Sequence, residues 1–274
     1  MIDKKRILTL AINSIKTKIH VFKNKLFYQY PKENIHNIHK ENITDIGIFY
    51  IAFGDKYVNE AVHSSKSVKE VSTIKTAILC DKIDEELKKY FDFINFIRPK
   101  HIRAKVDYLE CTPFEYTLYL DSDTQVMEDI SYLFDILKKY DIAFTHDFAR
   151  KRYRWSQLIK EYDDIPDGFS ELGGGVMLYR KSKAIEFIQL WKYYFYKYYN
   201  ITNGWDQASL RIAAWRSKSN LYILPIEFNV RSEQNRAKVD LVHKNEGGLH
   251  PLRPRILHYH DLNNPKIEIK SYKY

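Results

Sequence analysis

What most constrains the fold of this chain is a repeated change of hydrophobic period, from strand-like to helix-like and back, beginning near residue 46. Residues 46–53 (IGIFYIAF) form an apolar run rich in β-branched and aromatic side chains and stop at Gly54-Asp55, the pattern of a buried strand closed by a turn. Residues 56–68 then read as a helix, 76–80 as a second strand, 83–90 as a helix, and 91–97 as a third strand that ends before Pro99. Further on, 102–109 reads as helix, 117–120 as strand, 130–140 as helix and 142–145 as strand. A polar loop over 147–170 follows, then a strand at 176–179, helices at 184–199 and 207–215, and a late strand at 255–259. Strands that alternate with helices are joined by crossovers, which build a mostly parallel sheet with helices on both faces. The expected class is α/β, with one Rossmann-like domain over residues 45–274. Residues 1–44 read as an N-terminal extension: an amphipathic helix with Ile7, Leu8, Ala11, Ile12 and Ile15 on one face, then a polar stretch.

Composition removes several classes. With 45% hydrophobic and 29% charged residues, bulk disorder is excluded. The formal net charge of +9 fits nucleic acid, an anionic membrane or phosphorylated substrates as partners. No zinc-finger, RNP or basic-region pattern is present, so nucleic acid is not expected. Cys80 and Cys111 are too far apart for a CxxC motif and too few to staple a chain of 274 residues, which points to a reduced, cytoplasmic setting. No stretch reaches the roughly 18 apolar residues of a membrane span. The basic start, the segment WKYYFYKYY at 191–199 and the tail KSYKY at 270–274 suit peripheral contact with an anionic bilayer, although 191–199 reads better as a core helix.

The chemistry concentrates at LYLDSDTQV, residues 118–126. Asp121 and Asp123 alternate at a strand end and so point the same way. Two such carboxylates repel unless a cation lies between them, and oxygen ligands suit Mg²⁺ or Mn²⁺. Ligands of open α/β sheets bind at the carboxyl ends of strands, where this pair lies. The plain alternative is a solvated turn that caps the next helix. The segment also matches the first motif of haloacid dehalogenase-like phosphatases, in which Asp121 would be a nucleophile. That motif opens its domain, whereas here about 75 residues of strand–helix pattern precede it, and no later acidic cluster matches.

Between residues 48 and 266 the chain resembles the family-eight glycosyltransferases, the glycogenin and bacterial lipooligosaccharide galactosyltransferase group, in short matched segments. FYIAFGDKYVNEAVHSSKSV (49–68) resembles the family's first strand, nucleotide loop and helix; the resemblance places Ala52, Phe53, Gly54 and the ring of Tyr57 against the nucleoside. Lys105, sixteen positions before Asp121, occupies the place of a lysine that contacts donor phosphate or sugar, with Arg103 beside it. LGGGVMLY (172–179) resembles an Asn-Ala-Gly-Val strand start, with Gly173 in place of the Asn and Gly174 and Gly175 against the sugar; Glu171 precedes it. NGWDQASL (203–210) carries the Asp-Gln pair, Asp206 and Gln207, that would face the donor sugar's reacting carbon. ILHYHDLNNPK (256–266) offers His258 as third metal ligand, with His260 as the alternative, and Lys266 for the diphosphate.

The resemblance implies a GT-A fold and a metal-dependent transfer of a hexose from a nucleoside diphosphate sugar, with UDP the expected carrier, to an acceptor hydroxyl. It further implies retention of anomeric configuration and a setting in surface glycan synthesis. Asp121, Asp123 and His258 would hold Mn²⁺ or Mg²⁺, with Ser122 between the aspartates touching the donor. A glycan, a lipid-linked sugar or a protein could serve as acceptor. A non-catalytic nucleotide-sugar-binding module is the remaining alternative.

Overall fold

The computed structural model describes residues 44–99, 101, 105–147, 149–231 and 254–258. Residues 1–43 of the N-terminal extension, Arg103, His260, Lys266 and the KSYKY tail lie outside the described residues.

The first half is built as the alternation predicts. Strand β1 (Thr44–Ala52) leads into helix α1 (Asp55–Val71), β2 (Thr76–Cys80), one helical turn α2 (Leu87–Tyr90) and β3 (Phe93–Phe96). Asp84 explains why α2 is shorter than the helix expected at 83–90: its carboxylate accepts the amides of Glu86 and Leu87 and fixes the chain in a turn until there. Helix α3 (Lys105–Tyr108) and a 3₁₀ turn (Leu109–Cys111) precede β4 (Phe114–Leu120). β4 starts earlier than predicted because Gly47 of β1 leaves room for the Phe114 ring, which a Cβ at 47 would meet at 2.3 Å.

The second half holds more surprises. β5 (Thr124–Val126) follows the acidic turn directly, and the expected helix at 130–140 is 3₁₀ over Ser131–Lys138. β6 (Ile142–His146) is followed by two single turns, α4 (Tyr153–Ser156) and α5 (Lys160–Asp163), inside the predicted loop. β7 spans Leu172–Arg180, so the three glycines lie within a strand rather than before one. Helix α6 (Lys181–Thr202), helix α7 (Gln207–Arg216), β8 (Leu221–Leu224) and β9 (Ile256–His258) complete the described fold.

The main sheet has seven strands in the order β3-β2-β1-β4-β7-β6-β8. β7 is antiparallel to both neighbours, and the other pairs are parallel. β1 is buried on both faces: Phe49 and Ile51 join a core with α6 and α7, while Ile48 and Tyr50 join one with α1 and the 3₁₀ turns. In the 191–199 segment Trp191, Tyr194, Phe195 and Tyr198 are buried, as the core-helix reading expects. No described helix is long and apolar enough to cross a membrane. The late strand β9 stays out of the main sheet and pairs antiparallel with β5, placing His258 opposite Thr124.

Candidate active site

One cleft, of about 430 Å³, opens at the carboxyl end of β4 and is lined by residues from β1, α3, β4, β7, β9 and the start of α7. Its floor is the acidic turn. Side-chain oxygens of Asp121 and Asp123 and a ring nitrogen of His258 lie within 4.8 Å of one another. His258 Nε2 stands 3.1 Å from Asp123 Oδ1 and 3.9 Å from Asp121 Oδ2. The short β5–β9 ladder makes this possible, since it begins one residue after Asp123 and ends at His258.

The orientation of His258 is set from behind. Asn229 Nδ2 donates to Thr145 Oγ1 at 2.8 Å, which turns the amide oxygen toward the ring, 2.8 Å from His258 Nδ1. A protonated Nδ1 donates to that oxygen, and in the neutral ring this leaves the Nε2 lone pair for a cation held at the aspartates. Two carboxylates and one such imidazole fit a divalent ion, and the nitrogen favours Mn²⁺ over Mg²⁺.

The glycines of β7 create the space. The β6–β7 register jumps from Phe144↔Met177 to Thr145↔Gly173, so Gly174 and Gly175 run past β6 unpaired. A Cβ on Gly175 would lie 2.3 Å from His258 Cε1 and 2.7 Å from Asp121 Oδ2, inside the cluster itself. One on Gly173 would meet Asn229 Nδ2 and Thr145 Oγ1 at 2.7 Å, breaking the bond that orients His258. Gly174 contributes its carbonyl, which accepts from Lys105 Nζ at 3.1 Å.

Lys105 is the electrostatic centre of the cleft. Its ammonium lies 3.1 Å from Asp121 Oδ1 and 3.0 Å from Asp206 Oδ2. Burial alone would lower its pKa, but the charges of Asp121 and Asp206 outweigh this and hold it above the ordinary lysine value. Tyr119 Oη donates to Asp121 Oδ1 at 2.7 Å, and burial together with the Asp121 charge raises its phenol far above the usual range. Asp206 occupies the N-cap position of α7 but makes no side-chain cap bond, because its carboxylate is turned to Lys105. Left-handed Asn203 (φ 52°) and Gly204 (φ 73°) end α6 and return the chain to the cleft. Gln207 Nε2 donates to the Leu172 carbonyl at 2.6 Å and anchors α7 to β7.

The remaining sequence candidates divide. Ala52, Phe53 and Tyr57 line the β1 end of the cleft, and the Tyr57 ring is exposed there. Gly54 holds φ 85° and donates its amide to Asp81 at 2.9 Å, turning β1 into α1. Ser122 lines the cleft, but its hydroxyl donates to buried Glu60 at 3.2 Å. Glu171 points elsewhere: it is 0% exposed, accepts from Tyr162 Oη, and burial raises its pKa. Sequence reading did not single out Asn229, Tyr119, Arg152, Arg154 or Arg231. Trp205 is 47% exposed and lines the cleft.

No protein-family model matches the chain, and no curated protein sequence is significantly similar to it. Solved structures are. The galactosyltransferase LgtC, in complex with donor and acceptor sugar analogues, is 17% identical, with a TM-score of 0.55 over 78% of this chain and 87% of that one. The glycosyltransferase GlyE of Streptococcus pneumoniae is 20% identical, with a TM-score of 0.52 over 81% of this chain and 56% of that one. The chain has the GT-A fold. Mouse xyloside xylosyltransferase 1, 11% identical, matches with a TM-score of 0.51 over 78% of this chain and 97% of its own. The family-eight likeness in the sequence thus has a counterpart in three dimensions, and the acidic turn follows β4 of this GT-A sheet with three strands before it in the chain.

Proposed function

We propose that this chain is a metal-dependent glycosyltransferase that moves a hexose from a nucleoside diphosphate sugar, with UDP as the carrier, to an acceptor hydroxyl. The observation that carries the reading is the convergence of Asp121, Asp123 and His258 around a strand cleared by Gly175, on a fold shared with glycosyltransferases. Mn²⁺ or Mg²⁺ held by these residues would supply charge stabilisation for the leaving diphosphate. Lys105 adds a fixed positive charge beside Asp121. Asp206 and Gln207, held by Lys105 and by the Leu172 carbonyl, would face the donor sugar. The β1 wall of Ile51, Ala52, Phe53 and Tyr57 offers an apolar and aromatic surface to a base.

An inverting reaction needs a base beside the acceptor hydroxyl. Asp206 is ion-paired to Lys105, and Glu171 is sealed behind Tyr162. Both features favour retention, in keeping with the sequence resemblance. A phosphatase using Asp121 as nucleophile is disfavoured because three strands precede the one that ends in the acidic turn, whereas the phosphatase motif opens its domain. The test is release of nucleoside diphosphate from a panel of nucleotide sugars with and without Mn²⁺, for wild type, Asp121→Asn and Asp123→Asn. Metal-dependent release from wild type that both variants lose is expected. Phosphate release from a simple phosphoester, with no donor turned over, would overturn the proposal.

A further inference from the structure

We infer that the wall of the cleft opposite β1 binds an anionic group on the acceptor, so that the acceptor is a saccharide bearing a carboxylate or phosphate. The inference rests on the transferase reading and names its second substrate. Three arginines, Arg152, Arg154 and Arg231, line this wall, whereas the β1 wall carries no charged side chain. Asp147 gathers two of them: Arg152 Nη2 lies 2.9 Å from its Oδ1, and Arg231 Nη1 lies 3.7 Å from its Oδ2. Glu171 is the other carboxylate nearby, 4.0 Å from Arg152 Nε. Three guanidinium groups thus face two carboxylates. The surplus falls on Arg154, which has no carboxylate at ion-pair distance among the described residues.

Arg154 is held by aromatic rings instead. Its guanidinium lies 4.2 Å from the Trp155 ring centroid and 5.5 Å from that of Trp205. Stacking leaves the in-plane N–H donors open to a carboxylate or phosphate. Trp205 is half-exposed and immediately precedes Asp206, so a sugar ring lying on it is adjacent to the donor position. The donor's own diphosphate is the competing anion, since Arg231 follows Val230, whose carbonyl accepts from His258 N at 3.0 Å; the UDP in the experiment below occupies that place, so that the probes report on the remaining arginines. The surrounding basic residues do not blur the picture, since Lys151 turns away to Asp163 and Asp167 at 3.1 Å.

The experiment compares matched probes on the full chain with Mn²⁺ and UDP present: p-nitrophenyl β-D-glucoside, its 6-phosphate, and p-nitrophenyl β-D-glucuronide. Equilibrium binding is read by saturation-transfer NMR, which does not require turnover, and donor release without acceptor is measured in parallel. At least one charged probe should bind about tenfold more tightly than the neutral one, and the ratio should fall toward one in Arg154→Ala but survive in Arg154→Lys. Which charged probe wins tells carboxylate from phosphate. Equal binding of all three, binding of none, or a preference untouched by Arg154→Ala would overturn the inference. Donor release tests the transferase reading separately: its presence with no charge preference removes only the anionic acceptor.

Discussion

Replacing Gly175 by alanine tests the site at its tightest point. The new methyl carbon would sit 2.3 Å from His258 Cε1 and 2.7 Å from Asp121 Oδ2, where carbon atoms prefer about 3.5–4.0 Å. Neither neighbour can yield cheaply. His258 is 4% exposed and tied to Asn229, and Asp121 is tied to Tyr119 and Lys105. Relief requires a shift of more than about 1 Å in His258 or Asp121, and overpacking of this kind costs about 1–3 kcal/mol. Loss of one well-placed ligand should therefore weaken Mn²⁺ binding at least tenfold, about 1.4 kcal/mol. Gly174→Ala is the milder comparison, because its Cβ would meet Leu210 at 3.3 Å, Trp191 at 3.4 Å and Lys105 Nζ at 3.6 Å, all looser than the contacts at Gly175. Neither glycine holds a positive φ, so backbone strain does not separate the two variants. Mn²⁺ affinity by calorimetry and melting temperature would be measured for both. If Gly175→Ala binds Mn²⁺ within twofold of wild type, the placement of the metal at Asp121 and His258 is wrong.

Asn229→Ala should free the His258 ring and lower Mn²⁺ affinity about 10–100-fold, checked by the same titration; unchanged affinity would show that the ring needs no such support. Gly47→Ala should destabilise the fold by about 1–3 kcal/mol, read as a lower urea midpoint, because the Phe114 ring occupies the space of the added methyl. Asp92→Asn should cost stability at pH 7 and progressively less as the pH falls below about 4. Burial would raise the Asp92 pKa, but bonds from Lys69 and Thr76 outweigh this and hold it low. Its stabilising charge is thus present above the unfolded pKa and is lost as acid protonates the folded form. Thermal melts at pH 7, 4 and 3 read this out, and a pH-independent difference would contradict it.

The first half of the fold was legible because each element there has its own pattern: continuous apolar runs for β1 and β2, and a glycine where φ must be positive. The carboxylates of the site were legible for a related reason, since alternation at the end of β4 aims both the same way. Elements defined only by distant partners were not. β5 is three residues long and forms because β9 pairs with it from more than a hundred residues away. The glycines at 173–175 were placed ahead of the strand because small residues are ambiguous locally; only their neighbours Thr145, Asn229, Asp121 and His258 explain why Gly173 and Gly175 carry no side chain. Asn229 itself sits in no motif. Its role depends on bonding Thr145 and His258 at once, which has no trace in sequence spacing.

Arg211 has a mechanical consequence. Fully buried on α7, it reaches the carbonyls of Tyr162, Pro166 and Phe169 with its Nη1, Nη2 and Nε donors. Gln207, one turn earlier on the same helix, is riveted to β7. The segment after β6 and the helix that presents Asp206 are therefore bolted into one plate. Loosening either edge of it should disturb the other, so that substitutions at Arg154 and at Gln207 would compound rather than simply add.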